Sequence, residues 1–229
     1  MLNGPQLIVM LTYNDRTINN AREVFEACKD APADFWGFKE EPLPLEEMKA
    51  LCERMKALGK TTFLEVVAYS EAEGLEGAEK AVTCGFDVLM GTMYYDSVRD
   101  LCRQHGLKYM PYVGKVTERP SILSGTIDEI IAESRGLLEK GVYGFDLLGY
   151  RYEGDAQALN RRFVEEVPAP VCIAGSVNSF ERLAKIKNTA PWAFTIGGAF
   201  EDHKFGSTWP EQIQAVQAFM HQGSDYSRT

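Results

Sequence analysis

The sequence predicts a single (β/α)8 barrel, also called a TIM barrel, and three observations carry this prediction. Short β-rich apolar runs alternate with amphipathic helical segments eight times along the 229 residues. The apolar runs are nearly continuous in hydrophobic residues, which is typical of parallel strands that helices cover on both faces. The length is close to the roughly 250 residues of this fold. We therefore expect one α/β domain that spans residues 1–229.

The predicted strands are Gln6–Thr12, Asp34–Phe38, Thr62–Val67, Phe86–Met90, Lys108–Val113, Gly144–Leu148, Val171–Ala174 and Ala193–Ile196. Helix signals fall between them in the same phase. Ser70, Thr126 and Thr208 each stand three positions before a glutamate, which is the capping-box pattern that opens a helix. Four glycines stand just before strands, where a helix end favours a left-handed residue: Gly59, Gly85, Gly106 and Gly141.

An open, doubly wound sheet is the alternative fold. A dinucleotide-binding protein of that class would carry G-x-G-x-x-G after its first strand. Here the first strand is followed by Thr12-Tyr13-Asn14-Asp15-Arg16, which contains no glycine. This difference favours the closed barrel.

The composition excludes several classes of function. A net charge of −9 argues against a general nucleic-acid binder and against an anionic membrane surface as a partner. The chain has no apolar run of transmembrane length and no basic segment followed by an apolar stretch at its start. The five cysteines match no zinc pattern, so we expect reduced thiols in a cytoplasmic protein. Whether the chain forms a homo-oligomer stays open.

Two glycine-containing turns near the end of the chain are the most informative motifs. The predicted seventh strand runs through Cys172-Ile173-Ala174 into Gly175-Ser176, and the eighth runs through Phe194-Thr195-Ile196 into Gly197-Gly198. Glycine lets the backbone approach a ligand closely and present its N–H groups. Residues 199–202 are expected to form a short helix whose N-terminus favours an anion at the same place.

This pair of turns resembles the phosphate-binding signature of the ribulose-phosphate-binding barrel superfamily. That group includes isomerases of histidine and tryptophan biosynthesis, N-acetylmannosamine-6-phosphate epimerase and phosphogluconate-type aldolases. The close resemblance covers Val171–Asp202. It implies that Gly175, Ser176, Gly197 and Gly198 hold the phosphate of a phosphorylated small-molecule substrate.

Catalytic groups of this fold lie at the carboxyl ends of the strands. Glu65 and Asp146 interrupt apolar strand segments, and a buried carboxylate is costly unless it is paired or protonated. Lys39 and Lys115 follow the second and fifth strands and are the expected partners. We expect these four side chains to project into one bowl and share acid–base work, with a structural ion-pair network as the alternative.

Weaker candidates for substrate binding lie in the loops that follow the strands. They are Asn14, Thr92, Arg119 and Arg151. Either arginine could clamp a second anionic group, and a solvated loop arginine is the alternative. The connection Val116–Gly125 is long for a barrel loop, and long loops of this kind are commonly lids or binding loops.

The predicted function is a metal-independent isomerase or epimerase that acts on a sugar phosphate or a similar phosphorylated hydroxy-carbonyl compound. No cofactor is expected, and no histidine pair has metal-ligand spacing, although Mg²⁺ bridging to a substrate stays open. The alternative is a class I aldolase with a Schiff base on Lys115 or Lys39. The Asp-x-Lys-x-x-Asp pattern of the related decarboxylases is missing from the sequence. A non-catalytic sensor of phosphorylated metabolites is a further alternative.

Overall fold

The computed structural model describes residues 4–222, and eight parallel strands form its centre. These strands are β1 Gln6–Met10, β2 Phe35–Lys39, β3 Thr61–Val66, β4 Val88–Gly91, β5 Lys108–Met110, β6 Phe145–Leu147, β7 Val171–Ile173 and β8 Ala193–Ile196. Their order in the sheet is β6-β7-β8-β1-β2-β3-β4-β5.

The two ends of this sheet meet. Tyr143 N donates to Tyr109 O at 2.9 Å, and Asp146 N donates to Pro111 O at 3.1 Å. These two hydrogen bonds bridge the flanks of β5 and β6, so the sheet curls into a nearly closed barrel. The predicted (β/α)8 fold is confirmed.

Eight long helices alternate with the strands. They are α1 Ala21–Cys28, α2 Leu45–Ala57, α3 Glu71–Cys84, α4 Asp96–His105, α5 Ile127–Glu139, α6 Ala156–Glu166, α7 Phe180–Thr189 and α8 Trp209–His221. A 3-10 turn, Gly149–Arg151, precedes α6, and a short helix, Gly198–Glu201, precedes α8. None of the helices within residues 4–222 combines the length and the apolar character needed to cross a membrane.

The helix ends follow the sequence signals closely. Thr126 and Thr208 form complete capping boxes at the starts of α5 and α8, and the Ser70 side chain accepts a hydrogen bond from Glu73 N at the start of α3. Gly85 closes α3 in the left-handed conformation with φ 76°. Local hydrogen-bonding rules therefore set these boundaries.

Seven of the eight strands differ from their predicted limits by one or more residues, and two of these differences have a clear local reason. β5 ends at Met110 rather than Val113, because Pro111 has no N–H to donate to a neighbouring strand. β4 begins at Val88 rather than Phe86, because the Phe86 amide bonds to Ala81 O and belongs to the end of α3.

Two small hairpins rise from the carboxyl ends of the strands. The first pairs Thr12–Tyr13 with Arg16–Thr17, and the second pairs Lys115–Thr117 with Ile122–Ser124. Thr12 therefore belongs to a hairpin rather than to β1, and the long fifth connection has regular structure.

Apolar side chains fill the inside of the barrel. Inward-facing members of this interior cluster are Ile8, Met10, Phe63, Val88, Met90, Met110, Cys172 and Ala193. A second, larger cluster lies between the strands and the surrounding helices. Towards the carboxyl ends of the strands the interior becomes polar, because Lys39 and Glu65 stand opposite each other in the β2–β3 register.

Replacing the cap of α8 tests the contribution of these local signals. We expect Thr208→Ala to lower the free energy of unfolding by about 1 kcal/mol, because the Glu211 amide loses its side-chain acceptor. Urea denaturation measures the change. Ser207→Ala, at the exposed position just before the cap, is the matched control and should unfold like the parent. Equal effects of the two substitutions would contradict the expectation.

Candidate active site

A cavity of about 220 Å³ opens at the carboxyl ends of the strands. One wall consists of the turns after β7 and β8, including Gly175, Ser176, Gly197 and Gly198. Another wall contains Lys39 and Glu65. Residues that the sequence predicted for phosphate binding and for proton transfer therefore line a single cavity.

The turn after β7 takes an unusual backbone conformation. Gly175 has φ 82° and Ser176 has φ 55°, so two successive residues lie in the left-handed region. A Cβ atom on Gly175 would also lie 2.8 Å from Arg151 Cγ. The position therefore suits glycine for two reasons, and the aliphatic part of Arg151 packs directly against the turn.

The turn after β8 leads into the short helix Gly198–Glu201, which the sequence predicted one residue later. The amides of Gly198 and Ala199 begin this helix and have no partner within it, since the first N–H groups of any helix are free. A Cβ atom on Gly197 would overlap the Thr12 hydroxyl. The backbone can approach the cavity here only because glycine has no side chain.

The hairpin after β1 forms the third side of the cavity. Its two turn residues, Asn14 and Asp15, have φ values of 48° and 57°, which is the pattern of a type I′ turn. Asn14 lines the cavity, as predicted. The turn directs Asp15 into the mouth of the barrel, where the residue is only 7% exposed.

Asp15 is the centre of an ionic network. Its two carboxylate oxygens accept hydrogen bonds from the two terminal nitrogens of Arg151 at 2.8 and 3.1 Å, and Ser121 N donates to one of them at 2.9 Å. Lys39 Nζ lies 3.7 Å away. Burial by itself raises the pKa of Asp15, but Lys39 and Arg151 outweigh this effect and hold the pKa well below its usual range.

Lys39 joins this network to Glu65. Its ammonium lies 2.7 Å from Glu65 Oε1, and both side chains are nearly buried. Tyr112, which is fully buried, donates from its hydroxyl to the same oxygen at 3.0 Å. Burial lowers the pKa of Lys39, but the nearby Glu65 and Asp15 carboxylates reverse this and leave the pKa raised. Lys39 is therefore a charged ammonium at neutral pH.

Asp146 lies deeper in the barrel. It is 0% exposed, and it stands beside the inward-facing Cys172 in the β6–β7 register. Within the described part of the chain, neither of its carboxyl oxygens has a hydrogen-bond partner. Burial, followed by the negative charge of Glu65, raises the pKa of Asp146 well above its usual value. Burial without a hydrogen-bond partner therefore favours the neutral carboxylic acid form of Asp146.

Three predicted site residues lie elsewhere, and their expected positions are corrected. Lys115 is exposed in the second hairpin and is not part of the cavity lining; of the four expected side chains only Lys39 and Glu65 line the cavity, since Asp146 is buried outside the lining. Gly114, with φ 74°, turns the chain away from the bowl just before Lys115. Thr92 is buried and bonded to the Tyr109 hydroxyl at 2.6 Å, outside the cavity lining.

Arg119 is committed to protein partners and is not part of the cavity lining either. One terminal nitrogen lies 2.7 Å from a Glu41 oxygen, and the other donates to Asp15 O at 2.7 Å. Arg151 does line the cavity, although its terminal nitrogens bind Asp15. Arg151 is half-buried, whereas Arg119 is exposed but ion-paired with Glu40 and Glu41.

Asp15 and Tyr112 belong to the site, although the sequence did not predict them there. Asn-Asp after a strand favours a type I′ hairpin, and this signal could have turned Asp15 towards the mouth. Tyr112 stands two positions after the inward-facing Met110, so the alternation of β5 predicts that it also faces inward. Their contacts with Arg151 and Glu65 depend on residues far away in sequence and leave no local pattern.

The fold and this cavity define a class of protein: a (β/α)8 barrel with its candidate site at the carboxyl ends of the strands. The sequence matches no protein-family model and no curated protein. Solved structures do resemble it. The N-acetylmannosamine-6-phosphate 2-epimerase from Clostridium perfringens has a TM-score of 0.63 and 15% identity, covering 93% of this chain and 92% of that one.

Two further similar structures have other activities in their names. Orotidine 5′-phosphate decarboxylase from Pyrococcus horikoshii OT3 has a TM-score of 0.67 and 12% identity, over 95% of this chain and 100% of that one. A 4-hydroxy-2-oxoglutarate and 2-dehydro-3-deoxyphosphogluconate aldolase has a TM-score of 0.65 and 14% identity, over 93% and 94%. These likenesses confirm the barrel, and at such identities they show the fold alone.

The protonation state of Asp146 leads to a stability prediction. Its raised pKa means that the folded state holds a proton which the unfolded chain loses above about pH 4. Wild-type stability therefore falls as the pH rises above that value. Asp146→Asn has no such proton, so we expect it to be more stable than the wild type at pH 7, by about 1.4 kcal/mol per unit of pKa difference.

Urea denaturation at pH 4 and pH 7 checks this prediction. The advantage of Asp146→Asn should be much smaller at pH 4, where the unfolded wild-type chain is already about half protonated at this position. Asp30→Asn, on the exposed surface after α1, is the control and should follow the wild type at both values. Parallel stability curves for Asp146→Asn and the wild type would show that Asp146 is ionised in the folded protein.

Proposed function

We propose that this protein is an enzyme that isomerises or epimerises a sugar phosphate or a related phosphorylated hydroxy-carbonyl compound without a metal ion. One observation carries the proposal: the glycine turns after β7 and β8 and the Lys39–Glu65 pair line the same cavity. A ligand anchored at the turns would present its other end to a carboxylate and an ammonium.

The phosphate end of the proposal relies on backbone groups. Gly175-Ser176 and Gly197-Gly198 bring main-chain amides to the cavity wall, and the free amides at the start of the short helix face an anion favourably. Binding energy from a phosphate at this end would orient the reacting end of the substrate.

The reacting end would use Glu65 and Lys39. Glu65 lines the cavity and is the proposed general base that removes a proton next to the carbonyl group. Lys39 stays charged and would stabilise the negative charge that develops on the carbonyl oxygen. Asp146 is buried deeper in the barrel. Its raised pKa favours the neutral form, so it would add no second negative charge near Glu65.

Asp15 has a different proposed role. Its low pKa makes it a weak base. Its contacts with Arg151, Lys39 and Ser121 suit it to hold these three residues in position. These same contacts support a mechanism without a metal, because protein cations already neutralise the carboxylates at the mouth. Lys115 has no role in the proposed mechanism, because it lies in the exposed second hairpin.

The aldolase alternative places a Schiff base on lysine, and one similar structure is an aldolase. Lys39 is the lysine that lines the cavity among residues 4–222. A Schiff base needs a neutral amine, whereas the raised pKa of Lys39 keeps it protonated beside Glu65. The charge state of Lys39 therefore favours the isomerase over the aldolase.

The phosphate site can be tested with inorganic phosphate as the probe. We expect Gly198→Asp to weaken phosphate binding at least tenfold in calorimetry, because a carboxylate at the start of the short helix repels the anion. Gly136→Asp adds the same charge to the exposed side of α5 and is the matched control. Undiminished binding by Gly198→Asp, with the fold retained in circular dichroism, would contradict the site.

The proposed chemistry can be tested by isotope exchange. Incubation of the protein in D2O with a panel of aldose and ketose phosphates should put deuterium next to the carbonyl carbon of one of them, as detected by mass spectrometry. Glu65→Gln should slow this exchange at least about 100-fold, because it removes the base. Inorganic phosphate should bind to the variant as before.

Borohydride reduction in the presence of the same panel and of phosphorylated keto acids separates the two mechanisms. An isomerase leaves the protein mass unchanged. A covalent adduct on Lys39 would overturn the isomerase and establish the aldolase. Exchange that is unaffected by Glu65→Gln would remove Glu65 from the mechanism.

A further inference from the structure

One wall of the cavity has balanced charges. We call this wall the ionic wall; it consists of Asp15, Lys39, Glu65 and Arg151. Lys39 Nζ lies 2.7 Å from Glu65 Oε1 and 3.7 Å from Asp15 Oδ1. The two terminal nitrogens of Arg151 donate to Asp15 at 2.8 and 3.1 Å. Two cations thus face two carboxylates at close range.

Among residues 4–222, Lys39 and Arg151 are the only lysine and arginine that line the cavity. The cavity lining therefore offers the ionic wall no further cation. Arg119 is nearby, but it binds Glu40, Glu41 and the Asp15 carbonyl. The remaining carboxylate of the lining, Asp202, belongs to the turn side, where the Tyr13 hydroxyl donates to it at 3.2 Å.

An anionic group placed against the ionic wall would therefore lose its water without gaining a free cation. It would also meet the carboxylates of Asp15 and Glu65, and burying a charge without compensation is strongly unfavourable. A hydroxyl or carbonyl group meets no such penalty, since it exchanges hydrogen bonds with groups of either charge. The wall therefore discriminates between neutral and anionic groups.

We infer that the substrate carries a single anionic group, its phosphate, and that its far end is an uncharged hydroxy-carbonyl chain rather than a carboxylate. This inference rests on the proposed phosphate site and names the class of substrate within it. The chain is short, because the volume of about 220 Å³ lies below the roughly 300–1,000 Å³ of pockets for drug-sized ligands. Phosphorylated keto acids are excluded from this class.

Two commercial compounds give a matched pair of probes. Glycerol 3-phosphate and 3-phosphoglycerate share a phosphate and a three-carbon chain, and they differ in a terminal CH2OH or carboxylate. In calorimetry at neutral pH we expect the wild type to bind glycerol 3-phosphate at least about tenfold more tightly, since the extra carboxylate of 3-phosphoglycerate would lose its hydration without gaining a free cation at the ionic wall.

Variants of the ionic wall should reverse the preference. Asp15→Asn removes one carboxylate and leaves Arg151 without its partner, so the affinity for 3-phosphoglycerate should rise about tenfold while that for glycerol 3-phosphate changes little. Asp15 also holds the mouth together, so Glu65→Gln serves as a second variant that leaves Lys39 less compensated. Asp202→Asn, on the turn side of the cavity, is the control and should raise the affinity for both ligands equally.

The outcomes separate this inference from the proposed function. Equal binding of the two ligands by the wild type, or tighter binding of 3-phosphoglycerate, would overturn the inference and leave the phosphate site intact. The inference is also overturned if both wall variants keep the wild-type ratio of the affinities for the two ligands. If neither ligand binds, or if Gly198→Asp binds both like the wild type, the phosphate site itself is wrong and the inference falls with it.

Discussion

The buried carboxylate of Asp15 is the interaction on which the candidate site depends. An isolated carboxylate at this depth would be very costly, and it is tolerated because Arg151, Lys39 and the Ser121 amide all contact it. Lys39 ends β2, whereas Ser121 and Arg151 belong to the connections that follow β5 and β6. Fixing Arg151 also places its aliphatic part against Gly175, so the same ion pair shapes the turn that is proposed to hold phosphate.

The cavity uses two different sources of positive potential. At the turns, main-chain amides are proposed to supply it, which suits a protein whose net charge is −9. At the ionic wall, full charges are present but compensate one another. In the proposed mechanism binding and chemistry are thereby separated: the backbone would favour an anion, whereas the side chains would favour a neutral group that becomes charged only during reaction.

The sequence predicts the features of this protein that depend on local rules. Alternating strands and helices give the barrel, and glycines followed by a helix start give the two turns. Lys39 and Glu65 are also predictable, because a charge inside an apolar strand needs a neighbouring partner. The predicted position of Lys115 is wrong because the left-handed Gly114 turns the chain into a hairpin. Asp15 is missed because its burial depends on Arg151 and Ser121, which no local pattern connects to it.

The hairpin turn of Asn14 and Asp15 also has a consequence for how the protein folds. Asp15 is bonded to Ser121 across 106 positions and to Arg151 across 136 positions of the chain. Contacts between such distant residues form only after the intervening chain has been organised, and the loss of entropy on closing such loops makes them slow to form. The complete ionic wall is therefore a property of the finished barrel: a nascent chain that ends before β6 lacks Arg151, and opening of the first hairpin would remove Asp15 while the Lys39–Glu65 pair on β2 and β3 stays in place.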